Sequence, residues 1–283
     1  MIIRTWILLS LATLAAAAPA KWRQSYDAGY FDAQEKWAGG SEIMHLAAHA
    51  GNLYAANGYW LDARWVIPPE GQKQSAQVLR LDKADGKWQV DLDLGEANDL
   101  GLEYMKGNIL KSVSFSTSGE GRVLSASKHL LVMAAGANFE RGGAVSGWVR
   151  DDVAGTWHHT LVRHGSNAGG IRWVPRDLQV YRDRVTGVDR VFLLLGNPGI
   201  ISGVYDPREP SRIRWDRHVE FPFLTKGSFF TRPLGIAEAN DALHFSEGTS
   251  IFRRIDGKRP QWEEILNLAE DTDTDVGGIR GLT

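Results

Sequence analysis

From about residue 40 onward the apolar positions fall in short runs, at 43–48, 53–56, 78–81, 130–135, 191–195, 200–205 and 251–255, with Gly, Asn and Asp between them. Runs of this length bounded by turn residues predict strands, and no stretch sustains the 3.6-residue period of an amphipathic helix. The 31 glycines suit a chain that reverses direction often. An all-β fold is therefore expected.

The strands come in sets. Four times a strand ends in an acidic residue, a polar turn follows, and a tryptophan opens the next strand: Asp82 to Trp88, Asp151 to Trp157, Asp206 to Trp215 and Asp256 to Trp262. These tryptophans are 69, 58 and 47 residues apart, and the shortest spacing suits one four-stranded propeller blade, the others one blade with an inserted loop. Gly169-Gly170-Ile171-Arg172 also recurs as Gly277-Gly278-Ile279-Arg280 after 108 residues, the length of two blades. The expected strands are 43–48, 53–56, 77–81 and 88–92 in blade one, and 110–115, 129–135, 144–149 and 157–162 in blade two. Blade three would use 178–181, 191–195, 199–205 and 213–215, and blade four 234–237, 243–245, 251–255 and 262–266. Residues 277–283 read as the opening strand of a fifth blade, so the chain is expected to be part of a six- to eight-bladed propeller.

The hairpins Asp85-Gly86-Lys87-Trp88 and Ala154-Gly155-Thr156-Trp157 resemble degenerate Asp-boxes, the turns of the sialidase-like and BNR propellers, with the tryptophan two residues after the glycine. The resemblance implies the propeller fold over residues 40–283 and, in sialidases, an arginine cluster that holds a substrate carboxylate. The arginine-isoleucine-proline signature and an assignable tyrosine–glutamate pair are missing from this sequence.

Composition narrows the setting. Met1 to Arg4 starts cationic, residues 6–18 are apolar without a charge, and Ala18-Pro19-Ala20 has the small residues of a cleavage site. Residues 1–20 therefore read as a signal peptide, 21–39 as an N-terminal lead-in and 40–283 as the propeller domain. The apolar run is too short to span a bilayer, so no stable membrane insertion is expected after cleavage. The absence of cysteine excludes thiolate zinc sites, iron–sulfur clusters and cysteine nucleophiles, and in an exported chain it points to a bacterial periplasm or the extracellular medium. Lys plus Arg number 32 against 34 for Asp plus Glu, a net charge of -2, which leaves no field to draw nucleic acid.

Aligning the first strand of each blade puts a cation two residues before an aliphatic at Lys111, Arg176, Arg232 and Arg280. First strands line the channel of a propeller, so these four residues would ring its mouth, with Met44 interrupting the ring in blade one. Such a ring suits a carboxylate, sulfate or phosphate. The competing reading pairs each cation with an acid of a neighbouring blade, such as Asp177 or Glu238. Tyr59, Trp60 and Trp65 fall in the long loop of blade one, where aromatic rings stack on sugars or anchor a partner. Asp271, Asp273 and Asp275 alternate as calcium ligands do, although a solvated acidic loop is the simpler reading, and no cofactor is predicted. His45 and His49 have the spacing of a helical zinc pair but lie where a strand and its turn are predicted and lack the adjoining glutamate, so ordinary packing or turn positions are the simpler reading. No catalytic set is identifiable. The sequence thus reads as a recognition module for a glycan, an acidic small molecule or a protein partner. The alternative is a polysaccharide- or lactone-active hydrolase or lyase working in the channel.

Overall fold

The computed structural model describes residues 23–59, 75–97, 101–139, 142–166, 174–196, 199–222, 233–271, 279 and 282. They form four four-stranded antiparallel sheets and one two-stranded ribbon, a β-propeller arrangement. The ribbon pairs β1 (Tyr30–Phe31) with β2 (Trp37–Ala38). Blade one follows as β3 (Glu42–His49), β4 (Asn52–Gly58), β5 (Gln77–Leu81) and β6 (Gln89–Asp93). Blade two is β7 (Ile109–Thr117), β8 (Val123–Phe139), β9 (Gly142–Asp151) and β10 (Thr156–Ser166). Blade three is β11 (Pro175–Arg182), β12 (Asp189–Leu195), β13 (Ile200–Tyr205) and β14 (Ile213–Phe221). Blade four is β15 (Pro233–Ala239), β16 (Ala242–Glu247), β17 (Ser250–Ile255) and β18 (Gln261–Asn267). Each acid-to-tryptophan hairpin read from the sequence joins the third and fourth strands of its blade.

The first strands converge on the axis, β3 touching β7, β7 touching β11 and β11 touching β15. Apolar side chains fill the wedges between blades. Tyr54, Val78, Leu110, Met133 and Trp148 close the wedge between blades one and two. Val113, Phe115 and Val132 meet Leu178, Val191 and Leu193 in the next. In β12 the odd positions face blade two while Phe192 and Leu194 face blade four, so the strand is covered on both sides and reads as one unbroken apolar run. The outer face of blade one is covered by the lead-in, where Tyr26, Tyr30 and Ala38 pack on Leu79, Leu81 and Trp88. Of residues 277–283, Ile279 donates its N–H to the Gly248 carbonyl at 2.9 Å, and Leu282 abuts Gly235 on β15.

Two of the wedges are bridged by the same polar clamp. In blade two, Arg150 Nε and the indole Nε1 of Trp157 both donate to Asp91 on β6, at 2.8 and 2.7 Å. In blade four, Arg254 Nε and Trp262 Nε1 do the same to Glu220 on β14, at 2.7 and 3.1 Å. Each arginine also reaches the aspartate two residues on, Asp152 at 2.8 Å and Asp256 at 2.5 Å. It lies over an aromatic ring of the preceding blade, Tyr54 or Phe192. Those aspartates accept a further bond from the preceding blade's first strand, from His49 at 2.9 Å and from the Tyr181 hydroxyl at 2.6 Å. At the junction of blades two and three Val204 occupies the arginine position, and Asp189 instead accepts the N–H groups of Ser116 and Thr117.

Candidate functional site

The first strands carry the polar side chains nearest the channel, and β-bulges set their aim. Pairing along β3, β11 and β15 slips by one residue at Met44, Arg176 and Leu234 respectively. A bulge leaves the extra residue unpaired and turns its successor, so His45, Asp177 and Gly235 occupy equivalent positions in three blades. This shared register places Met44, Arg176 and Leu234 in one row and sets Arg232 two residues ahead of it. Counting residues without bulges had aligned Arg232 with Arg176.

Asp177 is the centre of the cluster. Its carboxylate pairs with Lys111 Nζ of blade two at 2.6 Å and accepts the Ile236 N–H of blade four at 3.0 Å. Its side chain is 15% exposed and that of Lys111 36%, so the pair sits at the edge of solvent. His45 of blade one completes the group. Burial lowers its affinity for a proton and Lys111 adds to this, against opposing pulls from Asp177 and the Asn108 carbonyl, and the net shift is downward. The imidazole is therefore neutral near pH 7, beside a paired ammonium and carboxylate contributed by two other blades.

Of the residues singled out in the sequence, Lys111 lies in this cluster, in the ion pair that the competing reading anticipated. Arg176 is half-buried at the bulge beside Asp177. Glu238 pairs with Arg184 at 3.7 Å. Tyr59 leaves β4 with its N–H donated to the Met105 carbonyl at 2.8 Å. Asp271 is exposed and its N–H bonds to the Leu268 carbonyl at 3.0 Å. Arg232, Arg280, Trp60, Trp65, Asp273 and Asp275 lie outside the described residues.

Three groups were missed. His45 was assigned no more than a packing or turn position. Glu247, at the turn from β16 to β17, has its carboxyl pushed up to about 7 by burial, with the nearby Glu264 adding to the shift. Ser112, His49 and Asp152 form a hydrogen-bonded chain across blades one and two. The clamp did leave a signal: Arg80-Leu81-Asp82, Arg150-Asp151-Asp152 and Arg254-Ile255-Asp256 repeat one pattern at the end of the third strand.

No protein-family model and no curated protein matches the sequence. Among solved structures, the chain is similar to an α-L-arabinanase from Penicillium chrysogenum complexed with arabinobiose, at 12% identity over 78% of this chain and 66% of that one, with a TM-score of 0.44. It is similar to an α-L-arabinofuranosidase from Fusarium graminearum in complex with an iminosugar inhibitor, at 10% identity over 79% and 66%, with a TM-score of 0.45. A fucose-specific lectin from Aleuria aurantia matches at 11% identity over 80% and 61%, with a TM-score of 0.37. The chain thus spans less than two thirds of the length of these structures.

Proposed function

We propose that the protein is an exported propeller of the sialidase-like or BNR type that recognises a glycan through the channel cluster of His45, Lys111 and Asp177. The observation behind this reading is the partly exposed Lys111–Asp177 pair. A carboxylate and an ammonium side by side match vicinal sugar hydroxyls, each of which both donates and accepts. An acidic small molecule fits less well, because Asp177 already neutralises Lys111. The composition of residues 1–20 supports export, which predicts a mature protein beginning at Lys21 by N-terminal sequencing.

Screening the purified protein on a glycan array and titrating the best binder by calorimetry tests the site. Lys111→Met removes one charged hydrogen bond and should weaken binding by about 10-fold or more, with the melting temperature nearly unchanged. Equal affinity in the variant would refute the placement. The alternative, a hydrolase or lyase of polysaccharide or lactone, draws support from Glu247, whose raised carboxyl suits a general acid. Under that reading turnover of a polysaccharide panel would fall on the alkaline side of pH 7.

A further inference from the structure

Ser112 is exposed on β7, on the side of the strand that faces blade one. Its Oγ lies 2.8 Å from His49 Nδ1, and His49 Nε2 lies 2.9 Å from Asp152 Oδ2. The far end of this chain determines where the protons are. Asp152 is ion-paired with Arg150 Nη1 at 2.8 Å, so its oxygens act as acceptors. His49 then donates from Nε2; in the neutral imidazole this leaves Nδ1 as a lone pair, to which Ser112 donates its hydroxyl proton. The base is shielded and the nucleophile is not, since the His49 side chain is 3% exposed while Ser112 is open to solvent.

Comparison with the second clamp separates a structural need from an extra provision. Between blades three and four the Tyr181 hydroxyl supplies the same bond to Asp256 at 2.6 Å. Joining the blades therefore needs only a donor. Histidine at the corresponding place makes that bond and adds a basic nitrogen aimed at an exposed hydroxyl. We propose that Ser112 is a nucleophile activated by His49, with Asp152 as the positioning residue, and that it accepts acyl groups from small carboxylic esters or lactones. This stands independently of glycan recognition at Lys111 and Asp177.

The step is acyl transfer. Ser112 Oγ attacks the carbonyl carbon as its proton passes to His49 Nδ1, and the tetrahedral adduct collapses with loss of the alkoxide, which takes that proton. Water, deprotonated by the same nitrogen, then attacks the acyl-serine, releasing the carboxylic acid and restoring the hydroxyl. β7 is the edge strand of its sheet and pairs with β8 alone, and an N–H group of β7 outside that ladder would serve as the donor to the oxyanion.

The test exposes the full-length protein to a fluorophosphonate probe, maps the adduct by peptide mass spectrometry, and follows p-nitrophenyl acetate hydrolysis in parallel. A single adduct on Ser112 is expected, absent from Ser112→Ala, which loses one hydrogen bond to His49 and should still melt cooperatively within a few degrees of wild type. His49→Gln, which keeps a donor to Asp152 but offers no base, should label at least about 100-fold more slowly. Asp152→Asn serves the same purpose if the buried His49 site does not tolerate glutamine. No adduct, an adduct that survives in Ser112→Ala, or wild-type labelling in both of the other variants would overturn the proposal.

Discussion

Replacing Arg254 with methionine probes the clamp where its energetics are most exposed to test. The guanidinium touches Asp183, Glu220 and Asp256, and the side chains of Arg254 and Asp183 are each 2% exposed. Methionine fills similar volume but leaves three carboxylates around a site with no cation. Removing one partner of a buried ion pair costs about 3–5 kcal/mol, and in a chain of this size each kcal/mol moves the melting temperature by about 2–4 °C. A fall of about 6–20 °C follows from those two ranges.

The dependence on pH supplies a sharper criterion. Burial pushes the Asp183 carboxyl up, but hydrogen bonds from Arg254 and from the Thr186 N–H outweigh it and hold the group below the ordinary carboxylate range. Its contribution is therefore present above that range and lost as pH falls through it. In the variant the Arg254 bond is gone, burial counts for more, and protonation relieves the penalty. The difference between wild type and variant should be largest near neutral pH and shrink as the buffer approaches about pH 4. Arg253→Met is the internal control. Arg253 pairs with Glu263 but is about half exposed, so its loss should cost no more than about 1 kcal/mol. Similar melting shifts for the two neighbours, or an Arg254 deficit that does not change with pH, would refute the reasoning.

Three further outcomes are expected. Glu247 binds its proton more tightly in the folded state, so wild-type stability should decline as pH rises from the ordinary carboxylate range to about 7, and Glu247→Gln should abolish that slope in melts across the window. Gly199 has φ +120°, and a Cβ there would come 2.0 Å from the Phe221 carbonyl oxygen, so Gly199→Ala should cost more than about 3 kcal/mol in urea unfolding. Trp157→Phe keeps the ring but strands Asp91 without its indole donor, and should cost about 1–3 kcal/mol by the same measurement.

Strand by strand, the blades were legible in the sequence because each strand contributes its own signal. The alternation in β7 and the unbroken apolar run of β12 report how many of their faces are covered, and the acid-to-tryptophan hairpins mark the third-to-fourth-strand turns. At Asp151 the turn chemistry can be read directly: its carboxylate accepts the N–H groups of Val153 and Ala154, and Gly155 takes the positive φ. Bulges leave no comparable trace. The single-residue slips at Met44, Arg176 and Leu234 follow from how each inner strand bends around the axis, and they displaced the row of first-strand residues that spacing alone had aligned.

What the amino-acid sequence determined by itself was local: an all-β chain, four repeating hairpins, the positions of the strands though not the full lengths of β8 and β14, no cysteine chemistry and a near-neutral charge. What only the tertiary structure decided was company. Lys111 meets Asp177 across 66 residues, and Ser112 and Asp152 reach His49 across 63 and 103. Partners so far apart are brought together by the packing of whole blades, whose apolar wedges are generic and specify no polar pair. Which cation is neutralised and which hydroxyl faces a base therefore depends on the bulges and on the angle at which one blade meets the next.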